Sequence, residues 1–385
     1  MAKVPNYGLI YNWDGDLHSF SEYPQSMEAF LEKMYAPMVD TQVGAHFWGL
    51  DAHQAQWKSE VLEMVGDVHD RKYESTFSYR RSENIRAMLE RGEDPQKEAI
   101  TRGHELGMHV YASIRMNDNH FNGAKPEDLT TLSDSALTQM RIDHPEWLLG
   151  DQAPMEWFAL SWNFEVPELR EHKYALIEEA CRRYDWDGVE LDWQRHSYHL
   201  PDDYGYRLKY VLTDLQRAVR RMTNELAEKR GRPFYLAARV APTLEACRRL
   251  GFDVPTWIEE DLVDILIPSG MSDTDPSIDV RAFVELCRGT DVSVYPGIDT
   301  EVRLPEFNAG LNANRVGPED AYTKDQMLNR GIASRFHKEG ADGIYLFNWH
   351  SDGNTRHELM NQIGATDTLR GKNKIYHATH RYITK

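Results

Sequence analysis

Short apolar runs rich in β-branched and aromatic residues recur along the chain, each followed by polar or Gly/Pro residues and then by a stretch with helical spacing. That alternation marks repeated strand–helix units. Eight strands are predicted: Tyr7–Asn12, Val43–Phe47, Met108–Ile114, Gly188–Trp193, Phe234–Val240, Val263–Ser269, Val292–Tyr295 and Gly343–Asn348. Amphipathic spacing between them predicts helices over Gln25–Met38, Pro95–Leu106 and Pro167–Arg183, among others. The last opens with Pro167 and Glu168, a proline tolerated in the first turn and an acid suited to the positive end of the helix dipole. No second compositional regime interrupts the pattern. The expected architecture is therefore one α/β domain, a (β/α)8 barrel over residues 1–365, with residues 366–385 a basic tail packed on it or extending from it. Long insertions are expected after strand two (48 to about 94) and strand three (about 115 to 186), where they would shape a cleft.

Composition narrows the function. The 385 residues carry 44 basic and 62 acidic side chains, a net charge of −18, which disfavours nucleic acid as a partner. A 41% hydrophobic fraction supplies a large core. Cys181, Cys247 and Cys287 are too few for a disulfide framework and read as reduced core residues. No apolar run approaches the ~18 residues of a membrane span, so no membrane partner is expected. The start, Met1-Ala2-Lys3-Val4-Pro5-Asn6-Tyr7, has no signal core, so a cytoplasmic location is expected unless a leader has been removed. After the first strand, Asn12-Trp13-Asp14-Gly15-Asp16 matches neither a dinucleotide fingerprint nor a phosphate loop, and no cofactor is expected. Nothing in the chain fixes the oligomeric state.

Barrel enzymes react at the carboxyl ends of their strands, so inward polar residues at those ends are the candidates. In Asp187-Gly188-Val189-Glu190-Leu191-Asp192-Trp193-Gln194 the two-residue period puts Glu190, Asp192 and Gln194 on one face and Val189, Leu191 and Trp193 on the other. Two consecutive inward carboxylates are costly unless paired or used. The remaining strand ends contribute Asn12 and Asp14, His46, Arg115-Met116-Asn117-Asp118-Asn119-His120, Arg239, Ser269, Asp299 and Glu301, and Asn348 with His350. Trp13, Trp48, Trp162, Trp193 and Trp349 are interleaved among them, either filling the space between barrel and helices or offering flat faces to sugar rings.

Asp187–Gln194 resembles the fourth-strand motif of chitinase-like family-18 glycosidases, Asp-Gly-x-Asp-x-Asp-x-Glu. Glu190 replaces an aspartate of that motif, and Gln194 replaces the glutamate that acts there as acid. The resemblance thus implies a functional carboxylate at Asp192 but not that family's substrate-assisted mechanism. More broadly, Met108–His120, Leu160–Lys173 and Asp187–His196 resemble the glycoside-hydrolase-like barrels of polysaccharide-degrading bacteria. This likeness covers most of the barrel and implies carbohydrate chemistry without naming the sugar.

Glycoside hydrolysis needs a protonated carboxyl and an ionised partner, about 5–5.5 Å apart for retention and about 6.5–9.5 Å for inversion. Asp192 is the expected first member, at the floor of the bowl. Asp299 or Glu301 is the expected partner, on the premise that strand seven faces strand four, with Glu190 next and Asp14, His350 and Asp352 further options. Arg115, Arg195 and Arg239, with His46, His120, His196 and His350, gather at the mouth of an acidic protein, pointing to a uronic-acid-bearing or sulfated glycan, unless they only neutralise Glu190 and Asp192. Asn12, Asp14, Asn117, Trp162, Asn348 and Trp349 complete the expected substrate contacts. His46, His120, Asp118, Glu190, Asp192 and His350 contain no local metal signature, so no metal is expected. Two alternatives stay open. One is a carbohydrate lyase or dehydratase with a His or Tyr base and arginine neutralisation; the other is a non-catalytic glycan-binding barrel, suggested by Gln194.

Overall fold

Nine parallel strands, β1 (Leu9–Trp13), β2 (Val43–Leu50), β3 (His109–Arg115), β4 (Gly188–Asp192), β5 (Tyr235–Val240), β6 (Ile265–Pro268), β7 (Ser293–Val294), β8 (Gly297–Asp299) and β9 (Ile344–Phe347), form one sheet. The computed structural model describes residues 3–13, 20–50, 55–64, 66–68, 70–121, 123–201, 204–271, 274–275, 277–299, 318–349 and 354–376. Sheet order runs β7-β6-β5-β4-β3-β2-β1-β9-β8. The predicted seventh strand, Val292–Tyr295, forms as β7, and the segment continues past its predicted end as β8, beyond Pro296, which has no N–H to give to a ladder. β7 pairs with β6 and β8 with β9, and the junction is bridged by Tyr295 N–H to Leu266 O (3.0 Å) and Tyr345 N–H to Pro296 O (3.1 Å). The segment therefore closes the ring, and the architecture is an eight-membered TIM-type barrel.

Helices cover the outside. Pro167–Arg183 forms over the predicted span, and Pro95–Glu105 begins at the predicted proline, capped by Asp94. The first helix is shorter than the pattern suggested, Met27–Tyr35, capped by Ser26. The connection after β2 contains a helix of its own, Thr76–Glu90, whereas the one after β3, before Pro167, consists of a short helix, Gln139–Asp143, and 3-10 turns, with a Leu148–Trp162 bridge. All three cysteines are buried and unbridged. The basic tail is described to Tyr376, where Ile375 N–H bonds Met327 O in the helix Pro318–Lys338.

Inside the barrel, Ile10, Ala45, Phe47, Tyr111, Tyr235, Ala237, Ile265, Ile267, Tyr295, Tyr345 and Phe347 form a core separate from the sheet–helix layer. Tyr7 plugs its amino-terminal end, with its hydroxyl 2.8 Å from that of Tyr111 and 2.7 Å from His109 Nδ1. Aromatic rings of this size need empty space on the adjoining strands. A Cβ on Gly188 would lie 2.4 Å from Tyr111 Cε1 and 2.5 Å from Tyr235 O. Gly188→Ala should therefore cost about 1–3 kcal/mol by overpacking, read as a lower urea midpoint; an unchanged midpoint would show that the tyrosine layer yields.

Candidate active site

In β4 the alternation works as predicted: Val189, Leu191 and Trp193 join the sheet–helix core, and Glu190 and Asp192 point inward. Strand register then sets Asp192 level with Arg115 on β3 and Arg239 on β5. Asp192 is wholly buried, and both of its oxygens lie 2.9 Å from Arg239 Nη1. Its Oδ1 also accepts the backbone N–H groups of Gln194 (3.0 Å) and Arg195 (2.9 Å). Arg239 is equally buried: Nη2 donates to Gly270 O (2.6 Å) and Met271 O (3.3 Å), and its guanidinium lies 3.5 Å over the Phe347 ring. Asp192 is thus walled off from solvent and committed to a guanidinium. This corrects the expectation of a reacting carboxylate there; the pair is a rigid cross-brace between β4, β5, the turn after β6, and β9.

Glu190 sits one layer deeper. It accepts from Ser113 Oγ and, at 3.4 Å, from Asn12 Nδ2, so Asn12 serves the interior rather than the rim. Its other oxygen, Oε1, is buried beside the equally buried Tyr345 hydroxyl. Burial, reinforced by the charge of Asp192, pushes the Glu190 carboxyl up to about 8, so it is held protonated at neutral pH. A neutral acid above Tyr345 and below an ion pair forms the base of the bowl.

The rim lies on the loops after β3 and β4. Arg115 donates to Asp118 Oδ2 (3.3 Å) and to Asn348 Oδ1 (3.2 Å), while Asn348 takes a left-handed φ of 45° at the end of β9. His196, with φ 52°, brings Nδ1 to 3.0 Å from Asp118 Oδ1. His120 is 46% exposed; its Nε2 lies 3.6 Å from the same oxygen and 3.3 Å from Arg195 Nη2. Burial beside Arg115 pushes the Arg195 guanidinium down to about 10, and its Nε is buried without a partner. Asp118, which the sequence offered as one of a polar stretch and among the metal-ligand candidates but not as a substrate contact, organises this cluster. The signal that finds it is register: it follows Arg115, the neighbour of Asp192.

Several predicted contacts lie elsewhere. His46 is buried between sheet and helix, its Nδ1 3.3 Å from the Tyr35 hydroxyl, because the inward positions of β2 are Ala45 and Phe47; desolvation pushes the imidazole down to about 3. Trp349, like Trp48 and Trp193, belongs to the sheet–helix core, and its carbonyl accepts from the Tyr11 hydroxyl (2.5 Å). Trp162 is covered rather than open, with Arg141 4.6 Å over its ring. Asn117 is fully buried and clamps backbone, donating to Trp162 O (3.0 Å) and Tyr198 O (2.7 Å) and accepting from Trp162 N–H (2.8 Å). Gln194 is buried, with Oε1 unpartnered. Asp299 ends β8, its backbone fixed by Thr274 Oγ1 on both sides (2.8 and 2.9 Å). The strand diametrically across the ring from β4 is β9, not strand seven, which corrects the premise for the pairing. Asp14, Glu301, His350 and Asp352 lie outside the described residues.

No family model matches the chain, and no curated protein matches it. Among solved structures it is similar to α-L-fucosidase isoenzyme 2 from Paenibacillus thiaminolyticus, at 15% identity and a TM-score of 0.48, over 91% of this chain and 48% of that one. It is also similar to chitinase ChiW from Paenibacillus sp. str. FPU-7 (12%, TM-score 0.49, 94% and 43%). A third is the chitinase from Chromobacterium violaceum (11%, TM-score 0.44, 94% and 99%). The chain spans less than half the length of the first two. These are likenesses of barrel fold, at low identity, and they carry no residue's role across.

Proposed function

We propose that the protein is a glycoside hydrolase acting on an acidic oligosaccharide, one bearing uronic acid or sulfate groups. The observation that carries this reading is the charge of the β3–β5 side of the bowl, where, among the described residues, the guanidiniums of Arg115, Arg195 and Arg239 face two ionised carboxylates, Asp118 and Asp192, because Glu190 is held neutral. An excess of guanidinium in a protein of net charge −18 suits a carboxylate or sulfate, which matches its planar fork of donors. In this reading Asp299 supplies a reacting carboxylate from the β8 side, Glu301 is the candidate for its partner, Arg195 and Arg115 receive the anionic sugar, and the Asp192–Arg239 brace holds the floor.

The full chain should release reducing ends from acidic oligosaccharides and not from neutral ones, with one oxygen from water incorporated per bond cut. Arg195→Met should raise KM for the acidic substrate about 10- to 100-fold, the loss of a charge-assisted hydrogen bond worth about 1.5–3 kcal/mol. Hydrolysis confined to neutral glycans would remove the acidic-substrate assignment. An unsaturated, ultraviolet-absorbing product without water incorporation would make the protein a lyase, and binding without turnover a glycan-binding barrel.

A further inference from the structure

We propose that Asp118, His120 and His196 form a binding site for one divalent transition-metal ion, zinc or an ion of similar ligand preference. The inference concerns metal binding by these three side chains and stands apart from the glycan reading.

The three residues come from neighbouring strand ends, Asp118 and His120 after β3 and His196 after β4, so their convergence is fixed by the barrel and not by one flexible loop. Asp118 Oδ1 lies 3.0 Å from His196 Nδ1 and 3.6 Å from His120 Nε2, and the three ligand atoms all fall within 4.8 Å of one another. Metal–ligand bonds of about 2.0–2.2 Å at tetrahedral or octahedral angles separate ligand atoms by roughly 3–3.5 Å, so an ion fits between them once the ligand atoms draw together by up to about 1–2 Å. Two imidazoles and a carboxylate are a donor set that suits zinc, iron(II) or cobalt(II) and leaves coordination positions open.

A second observation concerns where the lone pairs point. The Asn119 backbone N–H donates to His196 Nδ1 (3.1 Å), which makes that nitrogen the unprotonated one. It nevertheless sits 3.0 Å from a carboxylate oxygen, an acceptor facing an acceptor. His120 Nε2 repeats the arrangement, with an Arg195 N–H directed at it (3.3 Å) and the same oxygen beyond. The carboxylate oxygen and the two imidazole nitrogens thus converge on one point, and a cation there would take over the imidazole lone pairs from the Asn119 and Arg195 N–H groups and offset the carboxylate charge. Arg115 holds the other oxygen, Oδ2 (3.3 Å), and so aims Oδ1 at the site in the manner of an outer-sphere partner. The Arg195 and Asn119 N–H groups must give way, releasing His120 and His196 as the ion enters. His120 is the exposed ligand, so the ion would enter from its side.

The test is a cobalt(II) titration of the full chain, followed by visible absorption, with zinc(II) as competitor. Expected is one saturable equivalent with the ligand-field bands of a four- or five-coordinate ion, displaced by zinc. His120→Ala, at a half-exposed position that keeps the fold, should weaken binding at least tenfold, as should Asp118→Asn. His144→Ala, a surface histidine paired with Glu146, should bind as the parent does. Absence of a saturable band at equimolar cobalt, unchanged affinity in His120→Ala, or an equal loss in His144→Ala would each overturn the assignment.

Discussion

Arg239→Met should destabilise the barrel by about 3–5 kcal/mol, the usual cost of removing one partner from a buried ion pair. The expectation follows from what Asp192 would keep. Its carboxylate would retain the N–H groups of Gln194 and Arg195 but lose the two 2.9 Å contacts that compensate its charge, in a position with no exposed surface. The turn after β6 would lose its donor to Gly270 O and Met271 O, and Phe347 its stacked cation. Asp192→Asn placed in the same background should restore most of the loss, because a neutral amide oxygen still accepts both backbone N–H groups and no longer needs a counter-charge. Chemical denaturation of the two single variants and the double variant measures the coupling. A single-variant loss below about 1 kcal/mol, or an Asp192→Asn change that adds to the Arg239→Met loss, would show that the pair is not a brace.

How much of this was legible in the chain depends on whether the two faces of a strand differ. In β4 they do: Val189, Leu191 and Trp193 against Glu190 and Asp192, and the inward set followed directly from the spacing. In β2 both faces are apolar, as is usual in a parallel barrel, so the inward Phe47 and the outward Trp48 are indistinguishable by pattern. The polar His46 was then assigned to the rim when it belongs to the helix side. Trp349 misled in the same way, since an aromatic at a strand end serves a core or a sugar equally well. Strand positions, the closed ring and the proline-led helices were readable because each rests on local chemistry. The identity of Asp192's partner was not, since it lies 47 residues away and becomes visible only when β4 and β5 are set in register. The central place of Asp118 was not legible for the same reason, being defined by its neighbours on two strands and not by a motif.

Glu190 should make stability fall as the pH rises through neutrality, and Glu190→Gln should abolish that fall. The carboxyl ordinarily titrates near 4.5 and is pushed up to about 8 by burial and then by the charge of Asp192. A folded-state value above the unfolded one means the native protein holds the extra proton between these limits. The stabilisation is therefore complete below about pH 4.5, declines as pH rises through 8, and is gone above it. With about 1.4 kcal/mol for each tenfold gain in proton affinity, the wild type should lose on the order of a few kcal/mol between pH 5 and 9. Histidines act in the opposite direction at lower pH: His46, pushed down to about 3, and His172 and His199, each to about 4, are kept neutral by desolvation and destabilise the fold only as acid charges them in the unfolded chain. His104, raised by Asp187, adds a fall of the same sign as Glu190, so the quantity to compare is the difference between variant and wild type at each pH. Urea midpoints at pH 5, 7 and 9 should show Glu190→Gln close to wild type in acid and clearly more stable at pH 9, because the amide keeps the acceptor for Ser113 and can never ionise. Parallel curves across that range would mean that Glu190 ionises freely in the folded protein, and the excess of guanidinium over carboxylate at the bowl would disappear with it.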